Sequence, residues 1–143
     1  MARDIKKIDA KGRLFVPTRQ RDIFNETVIV TNSLDKGYLC VYTPERFDRI
    51  KEDTKSWNTV DPKTRMIKRA IFGEALYTKV DSQGRIAVSN ELWEKIGARP
   101  GDEICIFDED DKLEICTKEF YDGENHDLSE LVGMESQYYV SSL

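Results

Sequence analysis

KKIDAKGRLFVP, residues 6–17, and TKVDSQGRIAVS, residues 78–89, state one pattern twice. With Gly12 set on Gly84, Ile8 falls on Val80, Asp9 on Asp81, Arg13 on Arg85, Leu14 on Ile86 and Val16 on Val88. A glycine between two apolar runs marks a turn that needs positive φ. An aspartate three residues earlier offers its carboxylate to the backbone amides of that turn. Asp9, Gly12, Asp81 and Gly84 are therefore read as the builders of two equivalent turns. RLFV and RIAV, apolar and rich in β-branched residues, read as the strands that leave them.

The equivalence continues downstream. ETVIV (26–30) matches DEICIF (102–107), and GYLCVY (37–42) matches DKLEIC (111–116). Each copy reads as strand, glycine turn, strand, short helix, strand, hairpin, strand, with SLDKG and DEDDK at the hairpin tips. The short helix of the second copy starts at a Ser89 N-cap before NELWEKIG and ends at Gly97. Thr18, after Pro17, is expected to play the same part in the first copy. A unit of about 40 residues is too small to bury a stable core alone. Two copies packed together, as a pseudo-twofold barrel or sandwich, resolve that.

Between the copies, Thr43-Pro44 and Asp61-Pro62 read as two helix starts. Phe47, Ile50 and Trp57 line one side of the first helix. Met66, Ile67, Ala70 and Ile71 form the stripe of the second, which Gly73 ends. Lys63, Arg65, Lys68 and Arg69 occupy the rest of its surface, as a solvated face or one turned to phosphate. Phe47, Trp57 and Trp93 are expected to stay partly uncovered and to serve assembly.

The chain has 143 residues and a formal net charge of −5, which hides a division. Residues 102–143 hold thirteen acidic residues against Lys112 and Lys118, a balance of −11, leaving +6 for residues 1–101. A basic body with an acidic end suits a nucleic-acid binder better than the total suggests. Cys40, Cys105 and Cys116 sit in apolar runs without a CxxC, and His126 is the only histidine. They read as buried reduced thiols, with no metal site. No apolar run of about 18 residues is present to span a membrane. MARDIKKIDA lacks a signal region, so a cytoplasmic protein is expected. No nucleophile–base set is legible, so no catalytic residue is assigned and an enzyme is not expected.

IDAKGRLFVP and VDSQGRIAVS, with LDKGYLCVYTPERFDRI and RMIKRAIFGEALYTKVDSQGRI around them, resemble the MraZ family of bacterial transcriptional regulators. The likeness covers roughly residues 5–121. Ser89 stands where the family pattern has Pro. The resemblance implies a mainly β fold with short helices (α+β). In it, two tandem AbrB/SpoVT-like repeats, 1–55 and 77–121, form a pseudo-twofold swapped-hairpin β-barrel. A helical connector, 56–76, joins them and an acidic tail, 122–143, follows. It further implies a ring-like homo-oligomer on double-stranded DNA with repeated short boxes, associated with the nucleoid. Such a protein represses the division and cell-wall gene cluster and its own operon, with no cofactor and no membrane contact.

Lys7, Lys11, Arg13, Arg19, Gln83 and Arg85 are the expected DNA-contacting residues. Spacing leaves two roles open for Arg13 and Arg85: a structural pair with the aspartate four residues back, or a contact to DNA. Both hold at once if the carboxylate fixes one edge of the guanidinium and frees the other. The competing reading is an antitoxin-like interaction module with the same barrel, its acidic end wrapped around a basic partner protein.

Overall fold

The computed structural model describes residues 2–124 together with 126, 127 and 129. Six antiparallel strands form one sheet, in the order β1 (Ala2–Lys7), β7 (Glu103–Glu109), β8 (Lys112–Thr117), β4 (Leu39–Tyr42), β3 (Thr27–Asn32), β5 (Leu76–Lys79). Among the described residues, β2 (Arg13–Phe15) and β6 (Arg85–Ala87) pair only with each other, as a short ribbon. Exchanging β1–β4 for β5–β8 turns the sheet order into its own reverse. The two halves are interleaved: β1 pairs with β7, Ile5 opposite Cys105, and β5 with β3, Tyr77 opposite Ile29.

The expected closed barrel is not what forms. β1 and β5 are the open edges of the sheet and do not pair. The reason lies in the glycine turns. Ile8 N–H still donates to Asp102 O (3.0 Å), and Val80 N–H to Glu26 O (2.8 Å), at the ends of β1 and β5. One residue later, at Asp9 and Asp81, the chain peels away into its turn. The strands that emerge are three residues long and spend their hydrogen bonds on each other. The ribbon therefore covers one face of an open sheet instead of closing its edges.

Alternation sends Val28, Val30, Leu39, Val41, Ile104, Ile106, Leu113 and Ile115 to that face. There they meet Ile8, Leu14, Val16, Phe24, Ile86 and Val88, and Leu92, Trp93 and Ile96 from α3 (Asn90–Lys95) or its end. Residues of both halves fill this one core, and burying each such aliphatic side chain contributes about 1.5–3 kcal/mol. The opposite face puts Ile29, Cys40 and Tyr42 against Phe47 and Ile50 of α1 (Pro44–Thr54) and against Ile71 and Phe72. α4 (Lys118–Gly123) covers the β7–β8 end, with Phe120 edge-on to Tyr38 and Tyr121 on Phe107.

The helix starts follow their caps. Thr43 Oγ1 accepts from Arg46 N–H, Asp61 from Lys63 N–H and Ser89 Oγ from Leu92 N–H. The first copy differs. Thr18 opens only a 3₁₀ turn, Thr18–Gln20, whose N-cap is Pro17 with no side-chain cap. Pro17 has no hydroxyl to serve as Ser89 does. α2 (Pro62–Lys68) runs into a π turn, Arg69–Gly73, and its expected stripe is redistributed. In the wider turn Ile71 and Phe72 pack, while Ala70 and, before the turn, Met66 stay exposed. Phe47 and Trp93, expected to remain uncovered, are buried; Trp57 keeps 38 % of its surface exposed.

Cys40, Cys105 and Cys116 are buried free thiols, and burial pushes Cys116 up to about 12. Among the described residues no helix is long and apolar enough to cross a membrane. The acidic tail expected over 122–143 lies outside the described residues apart from 122–124, 126, 127 and 129.

Candidate nucleic-acid interface

The two turns have one geometry. Asp9 Oδ1 accepts from Lys11 N–H (2.9 Å) and Arg13 N–H (2.8 Å), and Oδ2 from Arg13 Nε–H (2.8 Å). Asp81 Oδ1 accepts from Gln83 N–H and Arg85 N–H, both 2.9 Å, and Oδ2 from Arg85 Nε–H (2.8 Å). Gly12 and Gly84 donate to the carbonyls of Asp9 and Asp81 at 3.0 Å, with φ of 79° and 82°. Left-handed φ without a Cβ penalty is the reason glycine stands there.

These contacts hold both aspartates below the ordinary carboxylate range. The backbone N–H of Arg13 or Arg85 is the largest cause; partial desolvation opposes it, and the guanidinium adds to it. Each arginine is thus fixed through Nε. Its terminal nitrogens carry no hydrogen bond to a described residue and remain for another partner.

The ribbon ties each turn to the other half. Val16 N–H donates to Gly84 O (2.9 Å) and Val88 N–H to Gly12 O (3.3 Å). Trp93 Nε1–H also donates to Gly12 O, at 2.9 Å. Position 21, the equivalent of Trp93, holds arginine. Arg21 Nε–H donates to Val16 O (3.1 Å), and its side chain lies against Gly84. Leu14 and Ile86 point into the core, so the outer side of the ribbon carries Arg13, Phe15, Arg85 and Ala87. Arg85 stands opposite Phe15, and Arg13 opposite Ala87.

The ribbon therefore gathers Arg13 and Arg85 from positions 72 apart, and Lys11 and Gln83 stand exposed on the turns beside them. Lys7 lies off the ribbon, exposed at the end of β1 opposite Glu103. Arg19 is engaged elsewhere. Its Nε–H donates to Asp108 Oδ2 (2.6 Å), and Nη2 pairs with Asp4 Oδ2 (2.6 Å). Those pairs bind the 3₁₀ turn to β1 and β7. Residue-by-residue reading of the sequence passed over Phe15 and Arg21. Strand alternation with Leu14 inward places Phe15 outside, and the internal alignment sets Arg21 on Trp93. Among the described residues no group of three or more His, Cys, Asp or Glu is placed to hold a metal ion.

The family model described as "MraZ protein, putative antitoxin-like" matches residues 4–70. The transcriptional regulator MraZ of Lachnoclostridium phytofermentans is 32% identical over 94% of this chain and 93% of its own length. Those of Heliobacterium modesticaldum and Desulforamulus reducens are each 35% identical, over 78% and 82% of this chain and 76% and 81% of their own lengths. Among solved structures, the solution structure of PHS018 from Pyrococcus horikoshii reaches a TM-score of only 0.32 at 14% identity, over 81% of this chain and 87% of that one, and carries no argument. Identity of 32% and 35% over 93% and 76% of the length of such relatives, together with paired Asp–Gly–Arg turns on one ribbon, places this chain in the MraZ family.

Proposed function

We propose that this chain is a transcriptional regulator that binds double-stranded DNA through the outer side of the β2–β6 ribbon. One observation carries the reading: two turns of identical geometry meet on one ribbon, each holding an arginine by Nε with its outer edge free. A two-stranded ribbon fits the major groove of B-DNA, and an arginine edge pairs with guanine O6 and N7. Arg13 and Arg85 read bases, with Lys11 and Gln83 beside them. Lys7 contacts phosphate, which positions the protein without reading sequence. Arg19 contributes less, because two carboxylates already neutralise it.

In this reading the halves are AbrB/SpoVT-like repeats, 1–55 and 77–121, with a connector at 56–76 and a tail at 122–143. The chain acts in the cytoplasm on the nucleoid, as a repressor of the division and cell-wall gene cluster and its own operon. A ring-like homo-oligomer repeats the ribbon around its rim and engages several short boxes at once, which raises apparent affinity without a new kind of contact. The relatives' name as transcriptional regulators supports the regulatory part.

Fluorescence anisotropy with the DNA upstream of the chain's own gene tests this. Arg13→Ala weakens specific binding by about 1–3 kcal/mol, and Lys7→Ala weakens all sequences alike and lowers the salt slope by about one. An Arg13→Ala protein that folds and binds as the parent does removes the ribbon from the interface. The family description's word "antitoxin-like" favours a second reading, an interaction module that captures a basic protein through its acidic end. A second chain that co-purifies, with no shift of upstream DNA, is its signature.

A further inference from the structure

The two halves of the ribbon are not equivalent, and the difference lies on its outer side. Phe15 is 39 % exposed, and the position equivalent to it is Ala87. Two guanidiniums lie over the ring: Arg21 Cζ is 5.7 Å from its centroid and Arg85 Cζ 5.9 Å. Arg21 in turn occupies the position that Trp93 fills in the other half. The Gly84 turn thus presents Arg85, Arg21 and Phe15 together. The Gly12 turn presents Arg13 opposite Ala87, with Trp93 buried beneath.

Phe15 lies outside the buried core, into which the ribbon sends Leu14 and Ile86. An apolar ring beside two cations matches a partner with hydrogen-bond acceptors and an apolar group side by side. In the major groove that pairing is a guanine edge next to the 5-methyl group of thymine. We propose that Phe15 is a specificity-determining residue that packs on a thymine 5-methyl group beside the base read by Arg85. The ribbon then reads a directional site, restrictive under Phe15 and permissive under Ala87. This rests on the DNA-binding reading above.

The test uses the full chain and a duplex it selects from a randomised pool. Each thymine of that duplex is replaced in turn by deoxyuridine, which removes the methyl group and leaves every hydrogen-bonding atom in place. Anisotropy is read for the parent chain, Phe15→Ala and Phe15→Leu. At one thymine the replacement weakens the parent about fourfold, the worth of one buried methyl-sized group. Phe15→Ala, with its fold verified by thermal melting, shows no loss at that position. Phe15→Leu, which keeps apolar surface but no π face, retains most of it. A uracil profile identical in the parent chain and Phe15→Ala overturns the contact while leaving DNA binding intact. If no duplex is enriched and Arg13→Ala changes nothing, the DNA-binding reading fails and this inference fails with it.

Discussion

Asp9 and Asp81 act as staples, each bridging two backbone amides and the arginine that ends its turn. Their folded pKa values are depressed. The stability they contribute is therefore fully present above the ordinary carboxylate pKa, near about 3.9, and is lost as pH falls through the folded values. Asp9→Asn is expected to lower the melting temperature at neutral pH and to flatten its decline below about pH 4. Thermal melts between neutral and acid pH check this; parallel parent and variant curves contradict it. The motif glycines carry a second prediction. Alanine at either position pays a left-handed φ, about 1–2 kcal/mol, yet the surroundings differ. A Cβ on Gly12 meets the Val88 carbonyl oxygen at 3.2 Å, which is backbone. One on Gly84 meets Arg21 Nε at 2.7 Å, part of a side chain that can shift at the loss of its hydrogen bond to Val16 O. Gly12→Ala should cost more in chemical denaturation than Gly84→Ala, while Gly84→Ala should disturb the Arg21–Phe15 stack.

Thr43 and Thr117 cap α1 and α4 at equivalent places, accepting from Arg46 and Phe120 N–H. Replacing either by Ala should cost about 1 kcal/mol in urea titration; an unaffected Thr117→Ala would mean that packing of Phe120 and Tyr121 alone holds α4. α3 reaches the first turn through Trp93, so Trp93→Phe should cost about 1–3 kcal/mol through the lost hydrogen bond and the space left behind. The two caps also show what is legible in one chain. Thr43 was announced by Pro44, whereas Thr117 precedes lysine and α4 went unforeseen. The turns were legible because Asp, Gly and Arg act within five residues. The π turn was not, since its cause is packing of Ile71 and Phe72 rather than local preference. The arginines were legible as candidates. The company they keep was not, because Phe15 and Arg21 meet Arg85 only after two three-residue strands have paired across the chain.

The core shared beneath the ribbon explains why the repeat was easy to see and the architecture harder. Alternation fixes which side of a strand is buried, but not which strand lies beside it. That is why an open sheet under a ribbon could be mistaken for a closed barrel. Because Val28 and Val30 pack with Ile104 and Ile106, neither half completes the core under the ribbon alone. A fragment of residues 1–60 should give a disordered circular-dichroism spectrum, and adding residues 61–124 in trans should restore β signal; a cooperative melt from the fragment alone would contradict this. The interleaving also bears on synthesis. β1 pairs with β7 alone, Ala2 opposite Asp108. On the ribosome β1 therefore waits for a partner encoded about a hundred residues later. At about 5–20 residues per second that wait is roughly 5–20 s. Over that interval the β1 segment leaves Ile5 and Ile8 without the neighbours they have in the folded sheet, and this pairing is completed only after β7 has cleared the exit tunnel.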